Sequence, residues 1–151
     1  MFTLVPSQFF NPAEERNTLA EVAELGENDV VTHVEIPQYD AVLIYTVEGD
    51  SSVYVPEIYR ILEALPSCPE YNKIVCSIID DRLYLGMAQG NSLILANSYC
   101  VKDFTTAEYY IFLAMKTFQL NPEVSVICWR SKLGAEDEMS LYRYFKSVEQ
   151  L

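Results

Sequence analysis

Three apolar runs separated by two short turns constrain this chain more than any other feature. Lys73–Ile79 (KIVCSII), Arg82–Gln89 (RLYLGMAQ) and Ser92–Val101 (SLILANSYCV) are rich in branched and aromatic residues, as strands are. Only Asp80-Asp81 and Gly90-Asn91 lie between them. So short a link joins antiparallel neighbours, because parallel ones need a crossover of roughly a dozen residues or more. A three-stranded meander is therefore expected. A helix capped by Thr105 or Thr106 should follow, running to about Gln119. Its polar residues Thr105, Glu108, Lys116 and Gln119 share one narrow stripe, so the helix is expected to be covered on most sides. Asn121-Pro122 stops it. Val124–Trp129 (VSVICW) is nearly all apolar, which predicts a strand inside the sheet and parallel to the first. Gly134 then precedes a last helix, with Glu136, Asp137 and Glu138 in its first turn and Leu141, Phe145 and Val148 as its inner stripe.

The first part of the chain reads less sharply. Phe2–Pro6 is extended. Asn11-Pro12-Ala13-Glu14 reads as a helix start, with Asn11 as the cap and Glu14 reaching back to close a capping box. Leu19, Val22 and Ala23 recur at helical spacing, and Gly26 is a suitable stop. Asp29–Ile36 and Asp40–Glu48 read as strands broken at Pro37, with a turn at Gly49–Ser52. Pro56 opens a short helix carrying Ile58, Ile61, Leu62 and Leu65 on one side.

The 151 residues are half hydrophobic, which suits one α/β domain able to bury a core. The expected fold class is a mixed sheet, β-β-β-α-β-α, over residues 71–151. A β-α-β-β-α segment over residues 1–70 precedes it within a single lobe. The β-β-β-α-β-α order is characteristic of the ribonuclease-H-like layer from which actin-like ATPases are built.

Two stretches carry a resemblance. FTLVPSQFF is similar to the "LVPxxLF" segment of a bacterial family known as a domain of unknown function. LILANSYCVKDFTTAEYYIFLAMKTFQLNPE resembles a second segment of that family, through Leu95, Asn97, Phe104, Tyr109, Tyr110, Leu120 and Pro122. The resemblance implies an actin-like ATPase fold and brings no activity with it. Members of the family look longer, so this chain is expected to be the second lobe of a two-lobed unit. Actin-like ATPases hold phosphates with an acidic-plus-glycine hairpin, DxG. The corresponding turn here is Ile79-Asp80-Asp81-Arg82, which lacks the glycine that lets a backbone approach phosphate.

Charge narrows the partners. The net charge is −12, which disfavours nucleic acid and anionic membrane. Residues 1–70 carry most of it, with 13 acidic groups against Arg16 and Arg60. No apolar run approaches the ~18 residues needed to span a bilayer, and the start does not read as a signal peptide. A cytoplasmic, bacterial protein is expected.

Chemistry-bearing residues are few. Asp80 and Asp81, with Gly90 and Asn91, are the candidate nucleotide- or metal-binding positions, and a solvated hairpin turn is the plainer account of the aspartates. A ribonuclease-H-like nuclease would need further carboxylates, for which Asp103 and Glu108 are the nearby candidates. His33 is the sole histidine and lies in a strand, which favours a structural role over a catalytic triad or a zinc site. Neither GxxxxGK[ST] nor GxGxxG occurs. Cys76, Cys100 and Cys128 lie within apolar runs and, with Cys68, read as buried free thiols. Eleven tyrosines suit an interface as well as a core.

The expectation is a scaffold or protein-interaction domain with no turnover, no catalytic residue, no metal and no cofactor, whose partner is a protein or a second lobe. The alternative is a nucleotide-binding ATPase lobe that takes ATP with Mg between itself and another lobe. A metal-dependent nuclease is the weaker alternative.

Overall fold

The computed structural model describes residues 1–50 and 53–151. Ser51 and Ser52 of the expected turn at Gly49–Ser52 lie outside the described residues. The chain divides into two compact units, Met1–Tyr59 and Arg60–Leu151.

In the first unit, β1 (Phe2–Pro6), β2 (Val31–Ile36) and β3 (Ala41–Thr46) form an antiparallel sheet in the order β1-β3-β2. β3 is the central strand, and its apolar run AVLI is buried. Asn11 caps as expected, accepting from the Ala13 N–H at 3.1 Å, but it caps a 3-10 turn, Pro12–Glu14. Glu14 closes no capping box, because its carboxylate accepts from the Asn17 side chain one turn on. The helix proper, α1, is only Glu15–Ala20. Val22 is consequently exposed. His33 Nδ1 lies 2.6 Å from Glu15 Oε2, which ties β2 to α1 and gives the histidine a structural place.

α2 (Glu57–Ala64) carries Ile58, Ile61, Leu62 and, just past its end, Leu65, all fully buried. The second unit contains β4 (Asn72–Ile79), β5 (Arg82–Gln89), β6 (Ser92–Cys100), α3 (Phe104–Thr117), β7 (Val126–Trp129), α4 (Ala135–Tyr142) and β8 (Ser147–Gln150). The sheet order is β6-β5-β4-β7-β8. β4, β5 and β6 are the antiparallel meander, and β7 runs parallel to β4 and β8. Alternation sets the faces. Ile74 and Cys76 of β4, Leu83, Leu85 and Met87 of β5, and Ile127 and Trp129 of β7 form one core with Ile111 and Met115 of α3 and Leu141 of α4. Gly86 of β5 lies on the other face, against Ile61 and Leu65.

Three sequence expectations are corrected here. Val148 belongs to a strand, because α4 ends at Tyr142 and the chain turns back to pair Val148 with Ile127. The helix cap is Asp103, whose carboxylate accepts from the Thr106 N–H at 2.7 Å and its hydroxyl at 2.8 Å. Cys100 is exposed at the end of β6, unlike Cys68, Cys76 and Cys128. Among the described residues, no helix is long and apolar enough to cross a membrane.

Candidate functional site

The turns of the meander fall at opposite ends of β5. Asp80 and Asp81 sit where β4 ends, with φ of 49° and 58°. Type I′ hairpins need this geometry at both central residues, and aspartate tolerates it better than most side chains. Gly90 and Asn91 sit at the far end, where the Gly90 N–H donates to Tyr71 O at 2.9 Å. An eight-residue strand separates the two turns by roughly 25 Å. The four candidate positions therefore do not form one site.

Asp81 borders a cavity of about 280 Å³ at the C-terminal ends of the parallel strands β4 and β7. That edge of a parallel pair is where loops diverge and ligands commonly bind. Ile78, Val101, Phe104, Trp129 and Leu133 supply the apolar wall. Asp81, Asp103 and Asp137 supply carboxylates, Lys102 and Lys132 ammonium groups, and Ser131 a hydroxyl. The loop after β7 is fixed by its neighbours: Ser131 Oγ accepts from the Ile78 N–H at 3.0 Å. The Gln150 amide donates to Trp129 O and to Ser131 O, each at 2.9 Å.

The electrostatics suit an anion poorly. Hydrogen bonds from the Thr106 N–H and hydroxyl hold the Asp103 carboxyl below its ordinary range, with Lys102 adding to the effect. This carboxylate already occupies the N-terminus of α3. The N-terminus of α4 has no side-chain cap, but Glu136, Asp137 and Glu138 fill its first turn. Glu108, the other nuclease candidate, points elsewhere and accepts from the Ser140 hydroxyl at 3.0 Å. Among the described residues, no group of three or more His, Cys, Asp or Glu is arranged to hold a metal ion. The Asp80-Asp81 hairpin offers no glycine for a backbone approach to phosphate.

Trp129 also borders the cavity. Its indole N–H is buried and has no hydrogen-bond partner among the described residues. Sequence reasoning placed Trp129 at the end of a strand and Asp137 in a helix turn, but their convergence depends on β7 lying beside β4.

The second feature is a surface. Leu95 and Tyr99 of β6 and Tyr110, Leu113, Ala114 and Phe118 of α3 line an apolar groove of about 150 Å³. Tyr99 stacks on Tyr110 with ring centroids 4.6 Å apart. Tyr109, Leu113 and Phe118 are 61%, 45% and 41% exposed. The helix expected to be covered on most sides is therefore open along one apolar flank, beside the strand that ends the sheet.

The family described as "Protein of unknown function (DUF3822)" matches residues 1–148. The chain belongs to it. This DUF3822 chain is also similar to a solved structure from Bacteroides thetaiotaomicron, a protein with an actin-like ATPase fold and unknown function. The TM-score is 0.79 at 16% sequence identity, covering 99% of this chain. The likeness shows the fold, as the order of strands and the two bacterial-family segments implied. This chain spans 64% of that protein's length. No curated protein matches the sequence.

Proposed function

We propose that this DUF3822 chain is a non-catalytic, cytoplasmic interaction module that holds a polypeptide partner along β6 and α3. One observation carries the reading: the end strand lacks charge and proline, and the helix beside it is apolar and exposed along one flank. β6, SLILANSYC, contains no charged residue and no proline. Natural edge strands are usually blunted by lysine, proline or a covering element, because their outer N–H and C=O groups template pairing. A strand added to such an edge continues the backbone ladder, while its side chains settle into a neighbouring pocket. The groove between Leu95, Tyr99 and Leu113 is such a pocket. The hairpin Asp80-Asp81, which lacks the glycine of a DxG phosphate turn, supports the absence of turnover.

A second reading, a nucleotide-binding lobe completed by another lobe, is favoured by the position of the 280 Å³ cavity and by Lys102 and Lys132. One experiment separates the two. A photoreactive benzoylphenylalanine replaces Tyr109 in producing cells, with a control at Glu136 on α4. Position 109 should yield a discrete polypeptide adduct that Leu113→Lys removes and position 136 does not reproduce. The purified protein should neither hydrolyse Mg-ATP nor melt at a higher temperature in its presence. ATP turnover abolished by Asp81→Asn, or adducts independent of position, would overturn the proposal.

A further inference from the structure

Four charged groups at the 280 Å³ cavity stand without ion-pair partners. Three segments bring them there. The hairpin after β4 supplies Asp81, the link from β6 to α3 supplies Lys102, and the link from β7 into the first turn of α4 supplies Lys132 and Asp137. Among the described residues none of the four makes an ion pair, although both signs line one cavity. Asp103, the third carboxylate of the lining, is already engaged by the Thr106 N–H at 2.7 Å and its hydroxyl at 2.8 Å. Two ammonium groups and two carboxylates are therefore left to meet a ligand.

The rest of the wall is mostly apolar. Phe104 and Trp129 supply two rings with centroids 5.8 Å apart, and Ile78 and Leu133 lie on the same wall. Trp129 is fully buried, and its indole N–H has no hydrogen-bond partner among the described residues. Buried polar groups are nearly always paired, so an orphan donor in the residue that borders a cavity marks a place for a ligand oxygen or an ordered water to complete. The wall is also held in place. Ser131, beside Lys132, accepts from the Ile78 N–H at 3.0 Å, and its carbonyl accepts from the Gln150 amide at 2.9 Å. Pockets for drug-sized ligands run to ~300–1,000 Å³. A cavity of about 280 Å³ therefore suits a smaller molecule, of amino-acid size.

We propose that this cavity binds a free apolar α-amino acid. Such a molecule carries one ammonium, one carboxylate and an apolar side chain, and the lining offers a counterpart to each. Asp81 and Asp137 take the ammonium, and Lys102 and Lys132 take the carboxylate. The side chain packs against Ile78, Phe104, Trp129 and Leu133. A zwitterion has no net charge, so it meets two groups of each sign without a surplus of either. A polyphosphate or a polycation would instead meet like charge on part of the wall. This site does not depend on the β6–α3 face, and holds whether or not that face takes a polypeptide.

The test titrates the whole unmodified chain with L-leucine, L-isoleucine, L-methionine and L-phenylalanine, following the fluorescence of Trp129, the single tryptophan. At least one of them should give a saturable change. N-acetylation removes the ammonium and amidation removes the carboxylate, and each should weaken binding of that amino acid by about tenfold or more. Asp137→Asn and Lys132→Gln should each weaken the unblocked amino acid, and Lys132→Gln should affect the amide less. No saturable change with any of the four overturns the proposal. So do blocked forms that bind as tightly as the free amino acid, and so does a saturable response to Mg-ATP alone, which would assign the cavity to a nucleotide. Because the blocked forms need no variant, failure of Asp137→Asn to fold would leave the titration decisive.

Discussion

Replacing Gly86 by alanine tests how the second unit is built. Gly86 lies in the middle of β5, opposite Val75 of β4 and Ala96 of β6. A Cβ there would stand 2.6 Å from Ile61 Cγ2 and 3.0 Å from Leu65 Cδ1. Ile61 Cγ2 branches directly from its Cβ and cannot swing away as the end of a long side chain could. Two effects oppose. Alanine gains about 0.5–1 kcal/mol over glycine through the smaller entropy lost on folding, whereas overpacking a filled core costs ~1–3 kcal/mol. At 2.6 Å the clash should win, for a net loss of ~1–2 kcal/mol after the entropic gain is set against the overpacking cost. With a urea dependence of ~2 kcal/mol per molar, that is a midpoint lower by roughly 0.5–1 M. The assay is urea unfolding followed by the fluorescence of Trp129, the single tryptophan, which is fully buried in the second unit. Ile61→Leu removes the offending methyl, so the double variant Gly86→Ala/Ile61→Leu should recover at least half of the loss. A single variant whose midpoint is unchanged or higher refutes the placement of Ile61 and Leu65 over β5.

Two further outcomes follow from the hairpin and the helix cap. Asp81→Gly should stabilise the protein by ~1 kcal/mol, because it removes a side chain from a left-handed backbone position; a midpoint that falls in urea would contradict the reading of this turn. Asp103 is held below its ordinary range in the folded state, so the stability it lends is complete above the unfolded carboxylate range and is lost as pH falls through its lowered folded value. Native protein and Asp103→Asn should accordingly differ at neutral pH and converge in acid, as compared by urea midpoints across a pH series.

The meander was legible because three period-2 apolar runs met two turns of two residues, and local chemistry alone allows few alternatives. β7 was legible from its unbroken apolar run. β8 was not. Ser147–Gln150 offers a single large apolar residue, and Leu141, Phe145 and Val148 fall at helical spacing, yet Val148 is buried by pairing beside Ile127. The α3 cap was missed by two or three residues because Asp103 and Thr106 are both good caps. Within the candidate site, the aspartate turn could be read from residue type. The cavity could not, since Trp129, Ser131 and Asp137 meet Asp81 only once β7 lies beside β4. Nor could the openness of α3, since its apolar composition predicted cover on most sides.

Amide hydrogen exchange bears most directly on the central claim, that the β6–α3 face takes a polypeptide and the acidic cavity takes no nucleotide. The measurement compares the purified protein alone, with Mg-ATP, and in the complex captured through position 109. Exchange across residues 92–100 should slow in the complex, while Mg-ATP leaves residues 78–82 and 101–104 unchanged. Protection of those two segments by Mg-ATP, with residues 92–100 exchanging equally fast in all three samples, would contradict it.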